Sequence, residues 1–250
     1  MFLFSGDSYL NNIYKLSPIA QIMNTAVLFS GGKDSGLALM YAMKESNVKC
    51  LITLISENNE SYMFHIPNIK WVEKQAEAIR IPIMLFKTKG EKEKELIDLE
   101  NAIKQAIKKY KIQGIYTGAL ASVYQASRIQ KIADKLKIKC FNPLWQKDQF
   151  QELNELIENK FEIMIVGIAA EGFNEKWLGR ILDKKALSEL KEIYAKFRIN
   201  PAFEGGEAES FTLNAPYFKK KLIVKKAKKT MTGEFTGVYE IEAIDVESIK

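Results

Sequence analysis

Residues 30–35 read Ser-Gly-Gly-Lys-Asp-Ser, with a short apolar run, Ala26 to Phe29, before them and apolar residues at helical spacing, Leu37 to Met43, after them. The pattern predicts a strand that hands over to a helix through a six-residue loop. Adjacent glycines let the backbone turn tightly and bring its N–H groups close to a ligand. The unpaired amides of the helix start point at the same place, where partial positive charge favours an anion. Ser30 and Ser35 add hydroxyl donors, and Asp34 can hold a magnesium ion or its water. A plain turn would explain the glycines, with Ser35 as a cap, but not all six residues together. The order is not that of the Walker loop, Gly-x-x-x-x-Gly-Lys-Ser/Thr.

The rest of the chain supplies a scaffold for such a loop. Strand-like segments at 49–56, 82–86, 113–117 and 138–141 alternate with helix-like segments at 68–80, 93–110 and 122–136. That alternation predicts an α/β fold, a doubly wound parallel sheet with helices on both faces. Ligands then sit beyond the carboxyl ends of the strands, where loops 30–35, 56–67 and 117–125 would converge. After Asn142-Pro-Leu-Trp the pattern changes to a helix at 148–159, a strand at 161–170, a helix at 184–197 and two β-rich runs around Thr232-Gly233. The expected organisation is a short N-terminal extension at 1–22, a nucleotide-type domain at 23–142 and a smaller α+β substrate domain at 143–250.

Bulk properties exclude more than they assign. With 250 residues, 47% hydrophobic and 27% charged, the chain has the makeup of an ordinary globular protein. Its longest apolar run, within Phe161 to Gly172, is too short to span a bilayer. Cys50 and Cys140 lie far apart without metal-ligand spacing and read as reduced thiols of a cytoplasmic protein. A net charge of +6 is compatible with an acidic partner. The lysines at 219–221, 225, 226, 228 and 229 read as a solvated strand face. No stacking aromatics interleave them, which argues against specific RNA recognition.

The loop order resembles the pyrophosphate loop of the PP-loop ATP pyrophosphatases, whose ATP-binding domain is HUP-like. Together with "SYMFHIPN", "GALASVYQASRIQ", "NPLW", "WLGR" and "FEGGEAESFTLNAPYF", it closely resembles the diphthine–ammonia ligase family. The resemblance implies amidation of diphthine on translation elongation factor 2, using ATP and ammonia, through an acyl-adenylate, with AMP and pyrophosphate as products. The absence of a Cys-x-x-Cys weighs against tRNA thiolation, and a chain with no room for a glutaminase domain favours free ammonia. The competing enzyme reading is another PP-loop ligase, such as a tRNA-modifying ligase or an ammonia-dependent NAD synthetase. A nucleotide sensor without turnover is the non-enzymatic one. Self-association is left open.

On that resemblance, residues 30–35 (Ser30, Gly31, Gly32, Lys33, Asp34 and Ser35) bind ATP, with Asp34 on magnesium. Lys33, Asp34 and Arg128 are the expected catalytic groups, Arg128 stabilising the α-phosphate. His65, Ser122, Tyr124, Gln125 and Arg180 are expected to line the substrate side, although Ser122 could simply cap a helix and Arg180 form an ion pair. Tyr62, Phe64 and Asn68 would shape the loop around His65. Glu204, Gly205, Gly206, Glu207 and Glu209 form an acidic turn suited to a quaternary ammonium group or an incoming ammonium ion.

Overall fold

The computed structural model describes residues 22–57, 68–91 and 94–249. Of the extension expected at 1–22 all but Ile22, together with Tyr62, Phe64 and His65, lie outside the described residues.

Five strands, β1 (Asn24–Leu28), β2 (Asn47–Ser56), β3 (Ile83–Thr88), β4 (Gly114–Tyr116) and β5 (Lys139–Phe141), form a parallel sheet in the order β3-β2-β1-β4-β5. Four helices connect them: α1 (Lys33–Glu45), α2 (Val72–Ile79) after a short 3₁₀ turn, α3 (Lys94–Tyr110) and α4 (Val123–Leu136). Successive side chains of β1 leave opposite faces of the sheet. Ala26 packs with Leu99 and Ile103 of α3 and Ile129 and Ile132 of α4. Val27 joins Leu37 and Met40 of α1 and Ala76 and Ile79 of α2. Both faces are therefore covered, which is why the strands read as apolar runs rather than alternations.

The remaining chain builds a second, antiparallel sheet. Strands β6 (Glu162–Ala169), β7 (Ala208–Asn214), β8 (Lys220–Met231) and β9 (Thr236–Ser248) take the order β7-β6-β9-β8. Helices α5 (Gln149–Glu158) and α6 (Lys184–Phe197) precede and follow β6. The hydrophobic cluster on the α1/α2 face continues through Phe161, Ile165, Phe211, Leu213 and Ile241, so the two sheets share one core. Asn68 fastens the seam: its side chain donates to the Tyr239 carbonyl (2.9 Å) and accepts from the Ile241 amide (2.7 Å). Beside it, Trp71 Nε1 donates to the Ile241 carbonyl. Asn68 is thus a structural bolt, with its backbone in the left-handed region at φ +68°.

Strand β7 was not among the expected strands. Its core reads Ser210-Phe211-Thr212-Leu213, a period of two, yet all four residues are buried because the polar side also has a protein partner. The lysine run on β8 matches a paired strand face: Lys225 meets Asp245 and Glu247, and Lys226 meets Glu242, on neighbouring β9. No helix among the described residues is long and apolar enough to cross a membrane.

Candidate active site

The order in which strands are added to the parallel sheet reverses between β1 and β4, and the crevice beyond such a switch point is where ligands enter folds of this kind. Two loops meet there. The loop after β4 lies so close to the first that a Cβ on Gly118 would stand 2.7 Å from the Asp34 carbonyl carbon and 2.8 Å from the Ser35 nitrogen. Only glycine permits that approach.

The Ser-Gly-Gly loop is held from three sides. Gly31 sits at φ +82°, and its carbonyl accepts from the Thr212 amide (2.9 Å) and from Gln75 Nε2 (2.9 Å). Gln75, fully buried on α2, also donates to the Thr212 carbonyl at 2.7 Å, tying the loop to β7. The Lys33 amide donates to Ser210 Oγ at 3.1 Å. Ser35 does not cap α1; Gly32 is the cap residue and brings no side chain. Instead Ser35 Oγ accepts from the Ser30 amide (3.2 Å) and donates to the Gly32 carbonyl (3.2 Å), bracing the loop internally. A Cβ on Gly32 would meet the Ser210 carbonyl at 3.3 Å. That glycine thus makes room for β7.

Lys33, one of the expected ATP-binding and catalytic groups, is committed to buried partners. It is 1% exposed and turns inward, with Nζ 2.5 Å from Asp34 Oδ1 and 3.1 Å from Oε1 of Glu152, a fully buried carboxylate on α5. The Phe203 ring centroid lies 5.7 Å from the same ammonium. Phe203 itself adopts φ +68°, a strained conformation for a bulky residue. Burial opposes the Lys33 charge, but the carboxylates of Asp34 and Glu152 outweigh it and raise the pKa above its ordinary value. Two acids on one buried ammonium leave one negative charge in excess. Burial together with the Asp34 charge accordingly pushes Glu152 upward against the pull of Lys33.

The three acids of the turn do three different things. Glu207 is a staple: its two oxygens accept the amides of Asn200 and Gly205, each at 2.9 Å. Glu204 accepts the Ala121 amide at 3.2 Å, which ties the turn to the loop after β4. Burial and then the Asp34 charge raise its pKa. Glu209 lies on β7 next to Ser210, and its side chain passes over Gly167 of β6. Burial, followed by the Asp34 charge, pushes it up to about 7. The three acids expected to form one turn thus have different partners. Glu207 is committed to the backbone, Gly205 gives way to its carboxylate, and Gly206, at φ +84°, has open space around it.

The remaining candidates divide. Ser122 accepts from the Gln125 amide and caps α4, the structural alternative noted for it. Tyr124 and Arg128 stack, with the guanidinium carbon 3.5 Å from the ring centroid, on the first turns of the helix that starts at the crevice. Arg180 makes two hydrogen bonds to Glu189 and lies over Trp177, so its described partners are all in the second half of the chain. An ion pair accounts for it. His65 lies outside the described residues. Sequence reasoning missed Gln75, Glu152, Phe203, Ser210 and Thr212. Only the polar positions of β7 carried a signal, the alternation with Phe211 and Leu213.

The chain matches two family models, described as the diphthamide synthase N-terminal domain over residues 23–140 and the diphthamide synthase C-terminal domain over residues 148–246. It is 31% identical over 225 residues to a Homo sapiens protein named diphthine–ammonia ligase, covering 81% of this chain and 83% of that one. The Rattus norvegicus protein of the same name is 31% identical over 222 residues, with the same coverage. The Schizosaccharomyces pombe one is 29% identical over 219 residues, but these are only 36% of its length. Both halves that build the crevice are thus matched, and the chain belongs to the diphthamide synthase family.

Proposed function

We propose that this chain is an ATP-dependent, AMP-forming amide ligase that converts diphthine on elongation factor 2 to diphthamide with ammonia. The observation that carries the reading is the Ser-Gly-Gly-Lys-Asp-Ser loop at the reversal point of the sheet, with β7 bonded directly to it through Ser210 and Thr212. Residues 23–142 would hold the nucleotide and residues 143–250 supply the substrate side, working in the cytoplasm where the factor is found.

A carboxylate is a poor acceptor, because its oxygens repel a nucleophile and oxide is a poor leaving group. Attack of that carboxylate on the α-phosphorus releases pyrophosphate and leaves an acyl-adenylate. The lone pair of ammonia then forms the C–N bond, the C–O bond to AMP breaks with its electron pair going to AMP, and the nitrogen sheds a proton. The protein's part is positioning and charge stabilisation. Loop amides and the start of α1 would receive pyrophosphate oxygens. Arg128, stacked on Tyr124, would face the α-phosphate.

Magnesium fits Asp34. Its side chain is 30% exposed, with Oδ1 turned to Lys33. Among the described residues no three His, Cys, Asp or Glu side chains gather into a metal cage. That suits an ion held by one or two carboxylates plus substrate phosphates, whose role is to neutralise phosphate charge.

The test is mass spectrometry of diphthine-bearing elongation factor 2 after incubation with the protein, ATP and ammonium, with chromatography of the nucleotides. The amide mass and AMP are expected. An unmodified factor, or ADP as the main product, overturns the reading.

A further inference from the structure

Lys33 and Asp34 are neighbours at the start of α1, and adjacent residues on a helix do not face each other. Yet the Lys33 ammonium stands 2.5 Å from Asp34 Oδ1. To reach it the long lysine side chain folds back, which costs rotamer freedom. The fixed point is Glu152, on α5 in the second half of the chain, whose Oε1 accepts from Lys33 Nζ at 3.1 Å. The ring of Phe203, a residue of strained φ, lies 5.7 Å from the same ammonium. Glu152 is fully buried, and its Oε2 has no hydrogen-bond partner among the described residues. A buried acid with an orphan oxygen is costly, and apolar groups often replace a buried ion pair without loss. Stability alone therefore does not account for an acid at this place.

Deepening the reading of Asp34 as the magnesium residue, on which it rests, we propose that Glu152 is a positioning residue for that metal site. It anchors the Lys33 ammonium, and the anchored ammonium fixes the partly exposed Asp34 carboxylate at the crevice. Lys33 then acts on magnesium through Asp34 rather than on phosphate directly. Carboxylates that bind metals are themselves held by hydrogen bonds from behind, which set their orientation. Glu152 does its part by accepting one hydrogen bond, so an amide of the same shape should serve as well.

The probe is Mn2+ in place of magnesium, titrated by electron paramagnetic resonance into the protein holding α,β-methylene-ATP, which resists cleavage between its α and β phosphates. Glu152→Leu should weaken Mn2+ binding roughly 10-fold, the lower end of the loss typical when a partner behind a metal ligand is removed. Its Kd for the same nucleotide in EDTA should hold within experimental error. Glu152→Gln keeps an acceptor for Lys33 and should bind Mn2+ as the wild type does. If Glu152→Leu folds poorly, Glu152→Asp, which draws the acceptor back by one carbon, should shift Mn2+ affinity the same way by less. Unchanged Mn2+ affinity in Glu152→Leu overturns the proposal. So do equal losses of nucleotide affinity with and without metal, which would make Glu152 purely structural. A Glu152→Gln protein as weak as Glu152→Leu also overturns it, because charge rather than the hydrogen bond would then matter. Tighter metal-free nucleotide binding by Glu152→Leu does the same, since Lys33 would be a phosphate group held back. Asp34→Asn with unchanged Mn2+ affinity instead overturns the magnesium reading itself.

Discussion

The chain contains two Gly-Gly pairs at the crevice, Gly31-Gly32 and Gly205-Gly206, and they are built in opposite ways. In each pair one glycine has a positive φ, +82° at Gly31 and +84° at Gly206. Around the first pair the space that side chains would fill is taken by protein: Gln75 Oε1 would lie 2.3 Å from a Cβ on Gly31, and the Ser210 carbonyl 3.3 Å from one on Gly32. Around the second, Gly205 yields to its own neighbour Glu207, and nothing stands within 4 Å of a Cβ on Gly206. The same dipeptide is a long-range junction in one place and a local turn in the other. What separates them is the sequence distance of the partners: Thr212 and Ser210 for the first pair, and a carboxylate two residues away for the second.

The sharpest test of the junction is the buried ammonium beneath it. Glu152→Leu takes one acceptor from the buried Lys33 ammonium and leaves it paired with Asp34, so the expected cost is that of a lost hydrogen bond to a charged group, about 1.5–3 kcal/mol. The paired change Lys33→Met with Glu152→Leu should recover only part of that, because it also takes the ammonium from Asp34. Denaturant melts of the three proteins measure both effects. A loss below about 1 kcal/mol for Glu152→Leu, the range of a surface pair, would mean that this contact does not fasten the junction.

Gly31→Ala comes next. A non-glycine residue at this φ costs about 1–3 kcal/mol in strain. The new methyl must also displace the Gln75 amide, which bonds both Gly31 and Thr212. The expected result is a lower Tm together with loss of ATP binding in calorimetry. A stable Gly31→Ala protein with wild-type ATP affinity would make the first pair as local as the second.

This contrast also marks what the sequence made legible. Strands and helices of the parallel half were readable because both faces of that sheet are buried, giving apolar runs bounded by loops. The loop itself was readable because a mere turn does not explain its six residue types together. Its clamps were not. Gln75 lies in the charged stretch Val-Glu-Lys-Gln on α2, and Glu152 in the polar start of α5, where nothing local distinguishes a buried amide or acid from a solvated one. Their burial is decided by residues more than a hundred positions away for Glu152, and by β7 for Gln75. Ser122, Arg180 and Glu207 taught the reverse lesson: polar residues in motif-like surroundings can be fully used by a cap, an ion pair and a turn.

A smaller effect is expected from pH. Glu209 has its pKa raised to about 7, from an ordinary value near 4.5, by burial and the Asp34 charge. An acid raised on folding binds more protons in the native state, so its contribution to stability is present at low pH and declines as pH climbs from about 4.5 through 7. Glu209→Gln removes that slope, and the variant should gain on the wild type above pH 7 by no more than about 1 kcal/mol once solvent screening is allowed for. Melting curves at pH 5 and pH 8 decide the sign. A variant that loses ground at pH 8 would show that the Glu209 carboxylate is paired in the folded protein.

The least disturbance should come from Gly206→Ala. Positive φ costs an alanine about 1–2 kcal/mol. Replacing glycine also removes freedom from the unfolded chain, which returns about 0.4–1 kcal/mol. With open space around the new methyl and the Glu207 staple on the neighbouring amide of Gly205, no packing loss is added. The net cost should therefore centre near about 0.8 kcal/mol and stay below about 1.6 kcal/mol, and ATP affinity should not move, because no contact of Gly206 among the described residues reaches the loop at 30–35. Parallel melts and ATP titrations of Gly206→Ala and Gly31→Ala put the two pairs on one scale. If Gly206→Ala alone abolished amidation while its Tm held, the open space at that turn would be occupied by the protein substrate, and the second pair would be a contact surface rather than a turn.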